Sequence, residues 1–153
     1  MAIKKSARMQ VVQRVAEDHA RRRAETLAAS ERRVAECEAK LAELEGYQAS
    51  YADEFARRAG AGIGAAGLRE YQAFMSRLGE AVRQQSELLV RARNDRDAQR
   101  RQWQSAAQRA DIVDKVVEKN RNSERRALEA REQRESDELA QTSRTRKTDG
   151  SGT

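Results

Sequence analysis

Every tyrosine and phenylalanine in the chain lies between positions 47 and 74: Tyr47, Tyr51, Phe55, Tyr71 and Phe74. In a chain otherwise poor in large apolar residues, such a cluster suits non-covalent recognition, because rings left partly uncovered make strong partner anchors. The plainer alternative is that the rings only staple a turn. A second group is cationic: Lys4–Lys5, Arg21–Arg23, Arg125–Arg126 and the run RTRK at 144–147. Clustered positive charge suits an acidic protein pore, nucleic acid or an anionic membrane, and the plain alternative is a solvated face. Nucleic acid is the weaker choice, since acidic residues are interleaved throughout and no aromatic platform accompanies the basic runs. A basic helical nucleic-acid binder therefore stands as an alternative reading.

Residue types for covalent chemistry are sparse. His19 is the one histidine, which leaves no set of imidazoles for a metal and disfavours a His-based triad. The glycine run GAGIGAAG lacks the Lys-Ser/Thr and the preceding strand of a phosphate loop. Cys37 and Trp103 fall on predicted packing positions and read as core. No catalytic, cofactor or metal site is expected, and the chain reads as a non-enzyme with no small-molecule substrate.

The elements that must position these groups follow from composition and period. The 153 residues include no proline, are 37% charged and 4% aromatic, and carry a net charge of +6. Long polar helices fit that mix better than a globular core. Residues 1–33 hold nine Lys/Arg against four Asp/Glu, and residues 34–118 hold thirteen against fourteen. One cysteine precludes an internal disulfide and suits a reducing compartment. No apolar run approaches the roughly 20 residues of a membrane span, and MAIKKSARMQ has no apolar block after it, so a cytoplasmic location is expected.

Gly60, Gly62, Gly64 and Gly67 cluster as nowhere else in the chain, and four glycines together should break a helix. Before them, Leu27, Val34, Leu41, Gln48 and Phe55 recur every seven residues, with Ser30, Cys37, Leu44 and Tyr51 three places on. Nearer the start, Met9, Val12, Val15 and Ala16 continue an apolar face in shifted phase, which a stutter near Arg21–Arg23 would explain. After the break, Tyr71, Leu78, Gln85, Ala92, Gln99, Ala106, Val113, Asn120 and Ala127 form one heptad series. Met75, Val82, Leu89, Arg96, Trp103, Ala110 and Val117 form the other.

The fold class predicted is all-α: a long antiparallel two-helix coiled-coil hairpin whose second helix overhangs. The expected boundaries are a helix over about 3–58, a turn over about 59–67 and a helix over about 68–142, within a single hairpin over 1–147. A frayed tail is expected over 143–153. Facing residues should have numbers adding to about 125, which sets Met9 and Val12 against Val116 and Val113. From about residue 123 onward the second helix should be unpaired.

LAELEGYQASY (41–51) and EYQAFMSRLGEAVRQQ (70–85), with WQSAAQRADIVDKVVEKNRNSERRALEAREQRESDELA (103–140), resemble the FliJ family of flagellar type III export proteins over nearly the whole chain. Leu44, Tyr47 and Tyr51 match the family's Leu, Tyr and Tyr before the turn, and Phe74, Leu78 and Ala81 its Phe, Leu and Ala after it. The resemblance implies a stalk similar to the γ subunit of rotary ATPases. Such a stalk enters a hexameric export ATPase ring, promotes its assembly, links it to the cytoplasmic domain of the membrane export gate and recycles export chaperones. Leu44, Tyr47, Tyr51, Phe74, Leu78 and Ala81 would then bind the gate, and Lys4, Lys5, Arg8, Arg125 and Arg126 the ring. Membrane association would run only through partners, at the inner-membrane export apparatus. Two departures stand out: the turn is unusually glycine-rich, and Gln85 stands where some members carry histidine. A stalk of a virulence type III secretion system shares the architecture and is the nearest alternative.

Overall fold

A computed structural model describes residues 4–150 of the chain. Two helices account for nearly all of them: α1, Lys5–Gly60, and α2, Ala65–Asp149. The described residues contain no strand, and the two helices pack against each other as an all-α hairpin. The start expected at residue 3 and the last tail residues, 151–153, lie outside the described residues. By their contacts the residues group into two compact units: one holds the chain up to His19 together with the chain from Ala107 on, the other Ala20–Ala106.

Ala20–Ala106 contains the turn. Both helices run into the glycine segment, leaving only Ala61–Gly64 outside them, a shorter turn than the composition suggests. The helix penalty of a glycine, about 1 kcal/mol relative to alanine, is outweighed where flanking rings hold the two helices together. Ala61 N–H donates to the Arg58 carbonyl at 3.0 Å and Gly62 N–H to the Ala59 carbonyl at 3.2 Å, closing α1. Gly62 has φ of 92°, the left-handed conformation that glycine adopts without strain. A Cβ at Gly67 would lie 2.6 Å from Ile63 Cγ2, so a larger residue there must displace Ile63. Within this unit Val34, Leu89 and Ala92 form the buried centre, with Cys37 and Leu41 packed on it. Cys37 is thus a packing residue, as its heptad position predicts.

The polar seam positions find local partners. Gln85 Nε2 donates to the Cys37 carbonyl at 3.2 Å, and the buried Ser30 hydroxyl donates to the Leu27 carbonyl at 2.7 Å. Arg93 meets Glu38 at 3.2 Å, and Arg100 approaches Glu31 at 3.9 Å, both across the seam. Gln99 Oε1 is buried without a hydrogen-bond partner, a local weakness in an otherwise regular seam.

In the other unit the start of α1 lies along α2 from Ala107 to Glu124. Ala16 and Val117 are buried, and Val117 is the most completely covered large side chain, at 1% exposure. Gln13 Nε2 donates to Asp114 Oδ1 at 2.7 Å. The interhelix contacts Gln13–Asp114, Phe55–Tyr71, Cys37–Gln85 and Ser6–Glu124 all fall within about six places of the predicted register.

Two sequence-based expectations are corrected here. The heptad phase does not stutter near Arg21–Arg23: Ser6, Gln13, Ala20, Leu27, Val34, Leu41, Gln48 and Phe55 are all covered, an unbroken seven-residue series. Val12 and Val15 lie outside it and are exposed. Small and polar residues take the inward positions because the seven-residue series of the longer apolar stretch continues through them. The second helix, expected to end at about 142, continues to Asp149. Thr142, Thr145 and Thr148 hydroxyls donate back to the carbonyls of Glu138, Gln141 and Arg144, and Arg146 and Lys147 in the last turn suit the helix dipole. From Arg125 onward every described residue is exposed.

Candidate functional site

The aromatic cluster forms one site next to the turn. α1 brings Tyr47, Tyr51 and Phe55 to one flank, spaced at four residues, and α2 brings Tyr71 and Phe74 at three. Two ring pairs result. Phe55 stacks on Tyr71 with centroids 3.7 Å apart and an interplanar angle of 13°, and Tyr51 tilts against Phe74 at 4.4 Å and 38°. Each such pair contributes about 0.5–1.5 kcal/mol beyond the area it buries. Beside them an open groove of about 310 Å³ is lined by Tyr51, Phe55, Ile63, Gly67, Tyr71 and Phe74, with Glu54, Arg58 and Glu70 also along it. Arg58 pairs with Glu54 at 2.8 Å and fixes that edge.

The rings divide by exposure. Phe55, Tyr71 and Phe74 are half-buried, whereas Tyr47 and Tyr51 remain 49% and 42% exposed. The Tyr47 hydroxyl donates to Glu43 Oε1 at 3.1 Å, and this carboxylate holds the phenol above its usual pKa. Tyr47 is therefore a neutral, outward-facing ring with a fixed hydroxyl. Leu78 is only 9% exposed and belongs to the packed seam, while Leu44 and Ala81 are half-buried. The six residues assigned to one surface thus split into two outward rings, three half-covered groups and one core residue.

The basic residues form a second grouping, in the other unit. Lys5, Arg8, Arg125 and Arg126 are exposed. The first turn of α1 holds Lys5 and Arg8 and no acidic residue, an arrangement that opposes the helix dipole. A carboxylate from α2 compensates: Glu124 accepts from Ser6 N–H at 3.1 Å and from the Ser6 hydroxyl at 2.5 Å. These bonds, with the charge of Lys4, hold the Glu124 carboxyl below its usual pKa. Sequence reasoning missed this contact because its heptad series of Met75 ends at Val117; Glu124, seven residues on, is the next member and is not apolar. Arg125 lies 4.0 Å from Glu129 on its own helix, and Arg126 shares a shallow groove with Lys115 and Lys119.

No cluster of His, Cys, Asp and Glu suited to a metal ion occurs among the described residues, and no described helix is long and apolar enough to cross a membrane.

The sequence matches the family model described as "Flagellar FliJ protein" over residues 4–148. No curated protein and no solved structure matches it.

Proposed function

The chain belongs to the FliJ family, a family of flagellar export proteins, and from that premise we propose that it is the export stalk: it enters the hexameric export ATPase ring, promotes ring assembly and links the ring to the cytoplasmic domain of the membrane export gate. The observation that carries the reading is the pair of outward tyrosines, Tyr47 and Tyr51, on a hairpin of two packed helices. Rings left about half exposed in an otherwise polar surface are the side chains from which binding hot spots are made. Tyr47 and Tyr51 carry the gate contact in this reading. Phe74, Leu44 and Ala81 shape the surface beneath them, and Leu78 supports it from the seam. Lys4, Lys5, Arg8, Arg125 and Arg126 supply the positive field for an acidic ring lumen, and the same protein meets export chaperones in the cytoplasm.

The stalk works as a binding module, with no substrate chemistry of its own. A helix pair holds the outward side chains within each site at fixed spacings. The test is a pull-down of the purified chain against an export ATPase and the soluble gate domain, with wild type and Tyr47→Ala/Tyr51→Ala compared. Capture of both partners, with loss of the gate domain alone in the double variant, is expected. Failure to capture either partner overturns the reading.

A further inference from the structure

The absence of a stutter has a consequence for the unit formed by the start of α1 and the chain from Ala107. With Ser6, Gln13 and Ala20 at heptad position a and Met9 and Ala16 at d, Val12 falls at g and Val15 at c. On α2, Ala110, Val117 and Glu124 take a, and Ala106, Val113 and Asn120 take d, which puts Val116 at g and Ile112 at c. In an antiparallel pair of right-handed helices the two g positions flank the same side of the seam, and c lies just beyond g. Val12, Val15, Ile112 and Val116 therefore share one face, and they are 39–65% exposed.

The charges on that face are all of one sign. Its g and c positions carry Lys5, Arg8, Arg109, Lys119 and Arg126, all exposed. No Asp or Glu between residues 5 and 19 or between 107 and 126 falls at g or c. Glu17 and Asp114 take e, Asp111 and Glu118 take b, Asp18 takes f, and Glu124 is in the seam. Between residues 5 and 19 and between 107 and 126 the carboxylates thus take positions off the valine face, with Glu118 in the groove of Lys119 and Arg126, and the cations flank the valines.

We propose that this face is a docking surface for an acidic amphipathic helix of a partner protein, its apolar ridge lying along Val12, Val15, Ile112 and Val116 and its flanking Asp or Glu meeting the surrounding cations. A helix suits because the aliphatic side chains recur at three and four residues along each wall, the spacing of the ridges on a third helix. A second copy of this chain does not suit, because a two-fold axis would set like charges against each other. A bilayer surface suits less well, since interfacial helices insert Trp, Phe or Leu and this face offers only Val and Ile. This surface shares Lys5, Arg8 and Arg126 with the positive field proposed for the ring lumen, and goes beyond it in the valine face and its helical occupant. The peptide titration described next contains no ATPase or gate domain, so its failure is distinguishable from failure of the pull-down.

The probe is a fluorescent peptide of about 21 residues, three heptads, with Leu at a and d and Glu at the flanking positions. Its anisotropy would be titrated with the full chain. Saturable binding is expected. It should weaken by about tenfold or more in Val12→Ser/Val116→Ser, and again in Arg8→Gln/Lys119→Gln, while Glu17→Gln/Glu118→Gln stays within about twofold. Circular dichroism shows whether each variant keeps its helicity; the charge variants alter only exposed side chains and serve where the valine variant does not fold. Equal affinity for a peptide of the same composition with its leucines scrambled overturns the proposal, because binding would then be charge alone. So does cosedimentation with phosphatidylserine vesicles without peptide binding, or dimerisation that the valine variant abolishes.

Discussion

Val116 and Val117 are adjacent in sequence, yet only one is core, and this contrast tests the helix phase directly. Val117 is 1% exposed and Val116 is 39% exposed. Replacing valine by alanine removes two carbons, worth about 1.6 kcal/mol of transfer free energy when fully buried, and the space left behind raises the cost to about 2–3 kcal/mol. At Val116 most of that surface is already in water, so the cost should be below about 0.5 kcal/mol. At roughly 3 °C of melting temperature per kcal/mol, Val117→Ala should melt about 6–9 °C below wild type and Val116→Ala within about 2 °C of it. Thermal unfolding followed by circular dichroism at the helix band measures both, with unchanged helicity at low temperature as the control. Equal losses, or the larger loss at Val116, would refute the phase of α2 assigned here, and with it the face described above.

Four further outcomes follow from the same geometry. Gly62→Ala should destabilise by about 1–2 kcal/mol because of its positive φ, whereas Gly46→Ala, with open space around it inside α1, should stabilise by about 0.5–1 kcal/mol; chemical denaturation of both variants checks the pair. Asn120→Leu removes a buried amide nitrogen that has no partner and should raise the denaturation midpoint, while a lowered midpoint would show that the amide is satisfied. Glu124 has its carboxyl pKa depressed by the Ser6 bonds, so its contribution is present above the unfolded carboxylate pKa and is lost as pH falls through the folded one. Acid titration of wild type against Glu124→Gln should accordingly show the stability difference narrowing at low pH. Spin labels at positions 12 and 113 should report a short intramolecular distance, and a long one would sink the hairpin register.

The fold was legible because one break and one period specify it. The glycine cluster marked the turn, and the heptads of Leu27–Phe55 and Tyr71–Val117 fixed which sides of the helices meet. At the start of α1 apolar type does not signal burial. Val12 and Val15 drew the seam toward themselves, while Ser6 and Gln13, which lie in it, are satisfied by Glu124 and Asp114. Those carboxylates come from the other helix, and such partners are invisible in a one-dimensional pattern. The aromatic cluster was visible as a group, but its division was not. Tyr51 stays 42% exposed although it tilts against Phe74, while Leu78 is covered, a division that spacing alone does not determine.

The stretch after Glu124 is a helix with no neighbour: every described side chain from Arg125 on faces solvent, and Leu128 and Leu139 are its only large aliphatic groups. An isolated helix of that length is marginal in water, held by side-chain pairs worth a few tenths of a kcal/mol each, such as Arg125 with Glu129. Backbone amides there should exchange with solvent orders of magnitude faster than those around Val117. A protein that grips this segment collects its affinity partly by suppressing that unwinding, so tightness of grip and helical content of the segment will rise and fall together.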